Sequence, residues 1–411
     1  TLVHASNLFY TEPGILLAER LSARGKKVVI VEDGGFHTSD GFSPMERSAL
    51  PKLYQDLGGR STADSSMMIA QGRAVGGTTV VNWTTCFRTP ERVMDHWHER
   101  LGVEGLTHAA LVPHWERLEQ RLNVTKMRLD QVNANNRKTW DGLERLGWHR
   151  DTLSRNVKGC AHTGFCGTGC PLDAKQSMLV TMLPDAVRAG ADVYANCWVE
   201  GIVWNGRRAT GVVARVRDPA TDRLTDRTLT VNAKVLVLSA GAINTPALLL
   251  RSEINHNGRT GRRTFLHPAI ATVGAYDERI DPFVGSPQYV YSDQFVDRGD
   301  KMSFLIEGGP VLPMLFGGFS MSLGAERQAQ MELLPHLALT AALLHDGFDP
   351  DNEDDGATVT LTEHKQPKVD YPFTPRLREG LAAATKAVMQ IQLAAGAKQA
   401  WSTHPRYARS A

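Results

Sequence analysis

The sequence predicts an α/β protein of two domains, and three observations carry that expectation. Near the N-terminus a helix is followed by a short apolar strand that ends on an acid. A second β-rich stretch, Asp192 to Ser239, runs directly into a glycine-containing helix start. Between residues 270 and 370 short strands alternate with many Gly and Pro, a different texture from the rest. At 411 residues the chain is long enough for two or three hydrophobic cores.

Each element has its own reason. Ile15, Leu16, Ala18 and Leu21 form one apolar face, with Glu19, Arg20 and Arg24 opposite, so Ile15 to Arg24 reads as a helix stopped by Gly25. Val28 to Val31 is apolar on both faces, as a strand inside a parallel sheet must be. Helix, turn, buried strand and terminal Glu32 make the second half of a nucleotide-binding βαβ unit. Pro90 to Leu122 reads as helical and highly charged. Val193–Trp204 and Ala209–Arg217 flank Gly206 as a hairpin. Leu229–Leu238 reads as one further strand, Ala247–Arg251 as a helix and Arg376–Ala395 as a long helix. Asp349 to Gly356 is an acidic loop.

Composition narrows the function. Hydrophobic residues at 42% and charged residues at 22% suit a soluble globular protein. A formal charge of +2 gives no ground to expect nucleic acid, an anionic membrane or a polyanionic substrate as partner. No apolar run reaches the roughly 18 residues of a membrane span, and Thr1 to Tyr10 does not read as a secretory signal. A cytoplasmic protein is therefore expected. Five cysteines are too few for a disulfide scaffold.

Two segments carry the chemistry. Glu32, at a strand end, is placed to accept hydrogen bonds from ribose hydroxyls. Gly72-Arg73-Ala74-Val75-Gly76-Gly77-Thr78-Thr79-Val80-Val81-Asn82-Trp83 is a glycine-rich turn whose backbone can approach a ligand closely, with Arg73 suited to a diphosphate or an adjacent carbonyl and Thr78 and Thr79 as hydroxyl donors. This segment resembles the first signature of the glucose–methanol–choline (GMC) flavoprotein oxidoreductases. Ser239-Ala240-Gly241-Ala242-Ile243-Asn244-Thr245-Pro246-Ala247-Leu248-Leu249-Leu250-Arg251-Ser252 resembles their second. The resemblance spans about Gly14 to Ala400 and is weakest at 270–370.

That resemblance implies a Rossmann-like FAD-binding domain, from residues 1–95, 155–270 and 371–411. A substrate domain, with a mixed or antiparallel sheet and helices, would come from 96–154 and 271–370. It implies that Glu32 holds the adenosine ribose and that Gly76, Gly77 and Thr78 lie against the FAD diphosphate and isoalloxazine. Asn82 would sit near the reactive flavin nitrogen, Val199 would meet the adenine through its backbone, and Ala240 and Gly241 would line the diphosphate. The implied reaction is hydride transfer from an alcohol CH–OH to FAD, with oxygen or another electron acceptor taking the electrons onward.

Two departures from the family follow. Its G-x-G-x-x-G turn would fall at Phe9, Thr11 and Gly14, of which Gly14 alone is glycine, and His4-Ala5-Ser6-Asn7 before it is not an apolar strand. The histidine-bearing segment that acts on the substrate hydroxyl is expected beyond Ala411, so no catalytic base is assigned; His404 precedes its position. These departures leave open a flavin-free or truncated homologue acting as a binding or structural subunit.

Cys160, Cys166 and Cys170, followed by Pro171, crowd a glycine-rich loop. Three such thiolates can hold an iron–sulfur cluster. The loop is similar both to that of cluster-bearing GMC dehydrogenases, which would imply a cytochrome partner, and to metal-free loops of sterol and long-chain alcohol members that precede a Lys-Gln-Ser-like segment, here Lys175-Gln176-Ser177. Zinc would need a fourth ligand, for which His162 stands nearest. His267 is expected to be structural, and Met302, Met314, Met321 and Met331 to fill core.

Overall fold

A computed structural model of the chain describes residues 13–319, 323–347 and 356–402, together with the backbone of 2–4. Its framework is a parallel four-stranded sheet in the order β11-β1-β2-β7, formed by β1 (Leu2–His4), β2 (Val29–Val31), β7 (Asp192–Tyr194) and β11 (Val237–Ser239). Val3 pairs with Val31 on one side and Leu238 on the other. The opening strand thus takes in His4, the first residue of the non-apolar stretch seen in the sequence, whose Ala5 to Asn7 lie outside the described residues. Helices α1 (Pro13–Ser22) and α6 (Met182–Arg188) pack together beside the sheet. Ile15, Ala18, Val28 and Ile30 are fully buried there with Met178 and Ala186.

The β-rich stretch divides more finely than its sequence suggests. β8 (Cys197–Asn205), β9 (Arg208–Arg217) and β10 (Leu224–Asn232) form an antiparallel sheet, with Gly206 at φ +58° turning the first hairpin. The single strand expected over Leu229–Leu238 is two strands. β10 ends at Asn232 in the antiparallel sheet, and β11 starts at Val237 in the parallel one. The expected Val193–Trp204 strand likewise splits into β7 and β8, at Asn196 with φ +55°, a left-handed conformation that Asn tolerates better than most residues. From β11 the chain enters α7 (Gly241–Arg251).

A six-stranded sheet in the order β18-β12-β15-β14-β13-β5 forms the second layer. Its strands are β5 (Asp151–Thr152), β12 (Ala269–Ala275), β13 (Val290–Ser292), β14 (Phe304–Gly309), β15 (Leu337–Leu344) and β18 (Gln399–Ser402), all paired antiparallel. Helices α5 (Ala134–Arg145) and α10 (Pro375–Ala394) cover it. α10 starts where Thr374 accepts a hydrogen bond from the Leu377 amide, with Pro375 at the first helical position. Leu377, Ala384, Val388 and Ile391 recur at helical spacing and bury against Phe304, Ile306 and Ala342. Each large side chain so buried contributes about 1.5–3 kcal/mol. α10 and β18, grouped with the nucleotide domain in the expected 371–411 segment, thus pack on this sheet.

Smaller pieces join the layers. β3 (Thr85–Cys86), β4 (Val124–Lys126) and β6 (Ser154–Asn156) form a three-stranded sheet, and β16 (Thr358–Leu361) pairs with β17 (Pro367–Asp370). The charged stretch after Pro90 gives α3 (Glu91–Leu101) and α4 (His108–Arg121). The remaining helices are α2 (Glu46–Leu53), α8 (Pro313–Phe319) and α9 (Gly324–Glu332). Most of the acidic loop, 348–355, is outside the described residues.

Candidate functional site

The end of β2 and the glycine-rich turn, some forty residues apart in sequence, are in direct contact. Glu32 is 1% exposed and its Oε1 accepts the Gly34 amide at 2.9 Å. Gly35 bridges Ala74 in parallel, and a Cβ on Gly34 would stand 2.4 Å from the Ala74 nitrogen. Only glycine permits that approach. The expected diphosphate partner Arg73 is engaged elsewhere: its Nη2 donates to Asp222 Oδ2 at 2.8 Å. Asp222 is delivered by the β9–β10 turn, and beside it Arg217 pairs with Asp33 at 2.7 Å. Val199 lies on β8, with its carbonyl accepting from Arg251 Nη2 at 3.1 Å.

Gly76 at φ +97° and Gly77 at φ +57° open a 3-10 turn over Gly77–Val80. Thr78 Oγ1 accepts the Gly72 amide at 3.1 Å. Thr79 bridges Gly76 O at 2.5 Å and the Met178 amide at 3.0 Å, so its hydroxyl shapes the turn from within. At the end of this segment Asn82 Oδ1 is buried, with no hydrogen-bond partner among the described residues. Leaving a buried acceptor unsatisfied costs about 1–3 kcal/mol. A flavin ring, which carries an N–H, suits such an atom. Ala240 and Gly241, the latter at φ +81°, make the turn from β11 into α7, and β11 runs parallel to β1. Gly14 is buried near the start of α1. Phe9, Thr11, Met321 and His404 lie outside the described residues.

The cysteine loop is corrected by its geometry. Among the described residues no group of three or more His, Cys, Asp or Glu side chains is placed to hold a metal ion, so Cys160, Cys166 and Cys170 share a loop without converging as ligands. Cys166 Sγ accepts instead from Arg155 Nη2 at 3.4 Å, and His162 Nδ1 contacts Ser286 Oγ at 2.8 Å. The loop is tied down by Lys175. Its buried ammonium donates to the carbonyls of Val80, Asn82 and Cys166 at 2.7, 2.7 and 2.6 Å. Burial pushes this amine down to about 8, against the pull of the Cys166 and Cys170 thiols. His267 is a half-buried imidazole, pushed down to about 4 by burial and by His345, which suits a structural role.

A cavity of about 500 Å³ opens beside this loop. Trp83, Phe165, Phe283, Leu312 and Met314 give it an apolar wall, with Glu46 and Arg47 at the α2 side. Met314, expected as core filling, is exposed there. Glu46 accepts the Met314 and Leu315 amides at 2.7 and 3.1 Å and so fixes α8 over the opening.

Three functional-looking residues were not singled out individually in the sequence. Lys175 was legible only as part of a motif. Arg60, buried, joins Asp56, Gln71 and Asn244, and so links the loop after α2 to the second signature. Glu307 is buried on β14, with Gln288 as its hydrogen-bond partner. For Lys175 and Arg60 the decisive partners, Val80, Asn82 and Asn244, come from distant parts of the chain.

Residues 50–269 match the family model described as GMC oxidoreductase. The chain belongs to that family. It is 31% identical over 392 residues to an uncharacterized GMC-type oxidoreductase, Rv0492c, of Mycobacterium tuberculosis, covering 93% of this chain and 58% of that protein. It is 28% identical to long-chain-alcohol oxidase FAO4B of Arabidopsis thaliana, over 93% of this chain and 51% of the relative. The chain thus spans about half the length of the curated relatives it matches. Among solved structures, pyridoxine 4-oxidase from Mesorbium loti superposes with a TM-score of 0.67 at 17% identity, covering 97% of this chain and 81% of that one. An Aspergillus oryzae formate oxidase, in a study of FAD modification, superposes at 0.67 and 13% identity, over 100% and 82% of the two chains. At those identities the likeness is one of fold. Among the described residues no helix is long and apolar enough to cross a membrane.

Proposed function

We propose that this chain binds FAD and takes part in oxidation of an alcohol bearing an apolar chain. The observation that carries the reading is the close approach of Gly34, whose amide Glu32 holds, to Arg73 and Ala74, which sets a strand-end acid beside the glycine turn that leads to Asn82. Glu32 would hold the adenosine ribose, with the Val199 backbone near the adenine. Gly76, Gly77, Ala240 and Gly241 would line the diphosphate and ring, and Asn82 Oδ1 would accept a ring N–H. FAD supplies the two-electron acceptor for the substrate hydride. The chain's own residues bind, orient and exclude water. Trp83, next to Asn82, forms one wall of the apolar cavity, so an alkyl chain seated there would present its hydroxyl end near the flavin edge. Support for the substrate class comes from the relatives named long-chain-alcohol oxidase. Oxygen or another acceptor would then reoxidise the flavin.

The test supplies purified protein with FAD and primary alcohols of graded chain length, and measures the carbonyl product together with peroxide or a reduced dye. The expected outcome is turnover that rises from ethanol to longer chains. Absence of carbonyl product from every alcohol contradicts the activity for this chain.

A further inference from the structure

One buried acid stands outside the groove. Glu307 lies on β14, between Ile306 and Gly308. Ile306 points into the core under α10, so the strand's alternation turns Glu307 to the other face of the sheet. Gly309 is on that same face, and a Cβ there would stand 4.0 Å from the Trp83 ring. Gln288 Nε2 donates to Glu307 Oε2, while Gln288 Oε1 accepts from Thr85 Oγ1 at 2.8 Å. A hydrogen-bonded chain therefore runs from the substrate sheet to β3, three residues beyond Asn82. Among the described residues Glu307 has no ion-pair partner. The titratable groups on the strands around it are Tyr291 on β13, its register partner, Asp151 beyond that on β5, Lys126 on β4, whose ammonium lies over the Tyr291 ring and pairs with Asp151, Cys86 on β3 and Arg155 on β6. The Arg155 guanidinium is directed to Thr84, Ser286 and Cys166.

We propose that Glu307 is a positioning residue that works as the neutral acid, holding the Asn82–Thr85 wall of the cavity against the substrate sheet through Gln288. A carboxylate at this place would be a buried charge without a cation, which low-dielectric surroundings penalise heavily. Burial accordingly pushes the carboxyl up to about 8, against the Gln288 hydrogen bond. This inference rests on the proposed cavity as substrate site, and its test separates the two.

The first arm needs neither flavin nor activity. Thermal midpoints of the wild type and of Glu307→Gln are followed from pH 5 to 9. The unfolded glutamate ionises near 4.5 and the folded one near 8, so the folded state holds more protons between those values. The wild type must then lose stability relative to Glu307→Gln as pH rises through that window, and level off above it. Parallel profiles overturn the proposal whether or not the chain takes FAD. The second arm reads kcat in FAD-supplied protein. It falls about tenfold in the wild type above pH 8, Glu307→Gln removes the fall, and Glu307→Leu is impaired at every pH. An alkaline fall kept in Glu307→Gln overturns the positioning role. A stability difference without any turnover leaves the buried acid in place and sinks the activity reading alone.

Discussion

Glu32 and Lys175 show how single side chains carry the groove. Replacing Glu32 by Ala removes the charged acceptor proposed to hold the ribose. Hydrogen bonds to charged groups are worth roughly 1.5–3 kcal/mol, so FAD affinity should fall about 10- to 100-fold in a fluorescence titration, with the protein still folded. Unchanged affinity would remove Glu32 from the site. Lys175→Met should act on stability. It leaves the Val80, Asn82 and Cys166 carbonyls without their common donor in a buried place, and the loss should be about 3 kcal/mol or more in urea unfolding. The place of Glu32 was legible in the sequence because it is local, at the end of an apolar run. Lys175, Arg60 and Glu307 were not, because their meaning lies in partners up to 184 residues away. The Arg73–Asp222 pair was illegible for the same reason: nothing near Arg73 in sequence announces Asp222.

Elements were legible where periodicity is long and uninterrupted. The α10 helix and the β8–β9 hairpin fall within a few residues of expectation. The Leu229–Leu238 run failed because an unbroken apolar-polar pattern does not tell which of two sheets each half will join. Two element-level predictions follow from geometry. Gly76→Ala puts a Cβ 2.9 Å from Leu179 Cβ and Val80 Cγ2 at φ +97°, whereas Gly25→Ala, at φ +71°, meets nothing within 4 Å. Both carry a backbone penalty of about 1–2 kcal/mol, and Gly76→Ala should cost clearly more in a denaturant midpoint. Glu46→Ala should release α8 from α2. Hydrogen exchange at the Met314 and Leu315 amides should then accelerate, and KM for long alcohols should change more than for short ones.

For the whole molecule, a parallel nucleotide-type sheet and an antiparallel sheet lie in one chain, bridged by the glycine turn, the cysteine loop and β3. The family fold was legible from two signatures alone, because both encode close backbone approaches that few sequences satisfy. The cavity was not, since its walls come from five separate stretches of the chain. The proposed function requires that the residues from Glu32 to Asn82 hold a flavin. The most direct measurement is the absorption spectrum of the purified chain after incubation with FAD and desalting. The account predicts flavin bands that stay with the protein and are weakened in Glu32→Ala. A protein that emerges colourless, with all FAD in the small-molecule fraction, would contradict it.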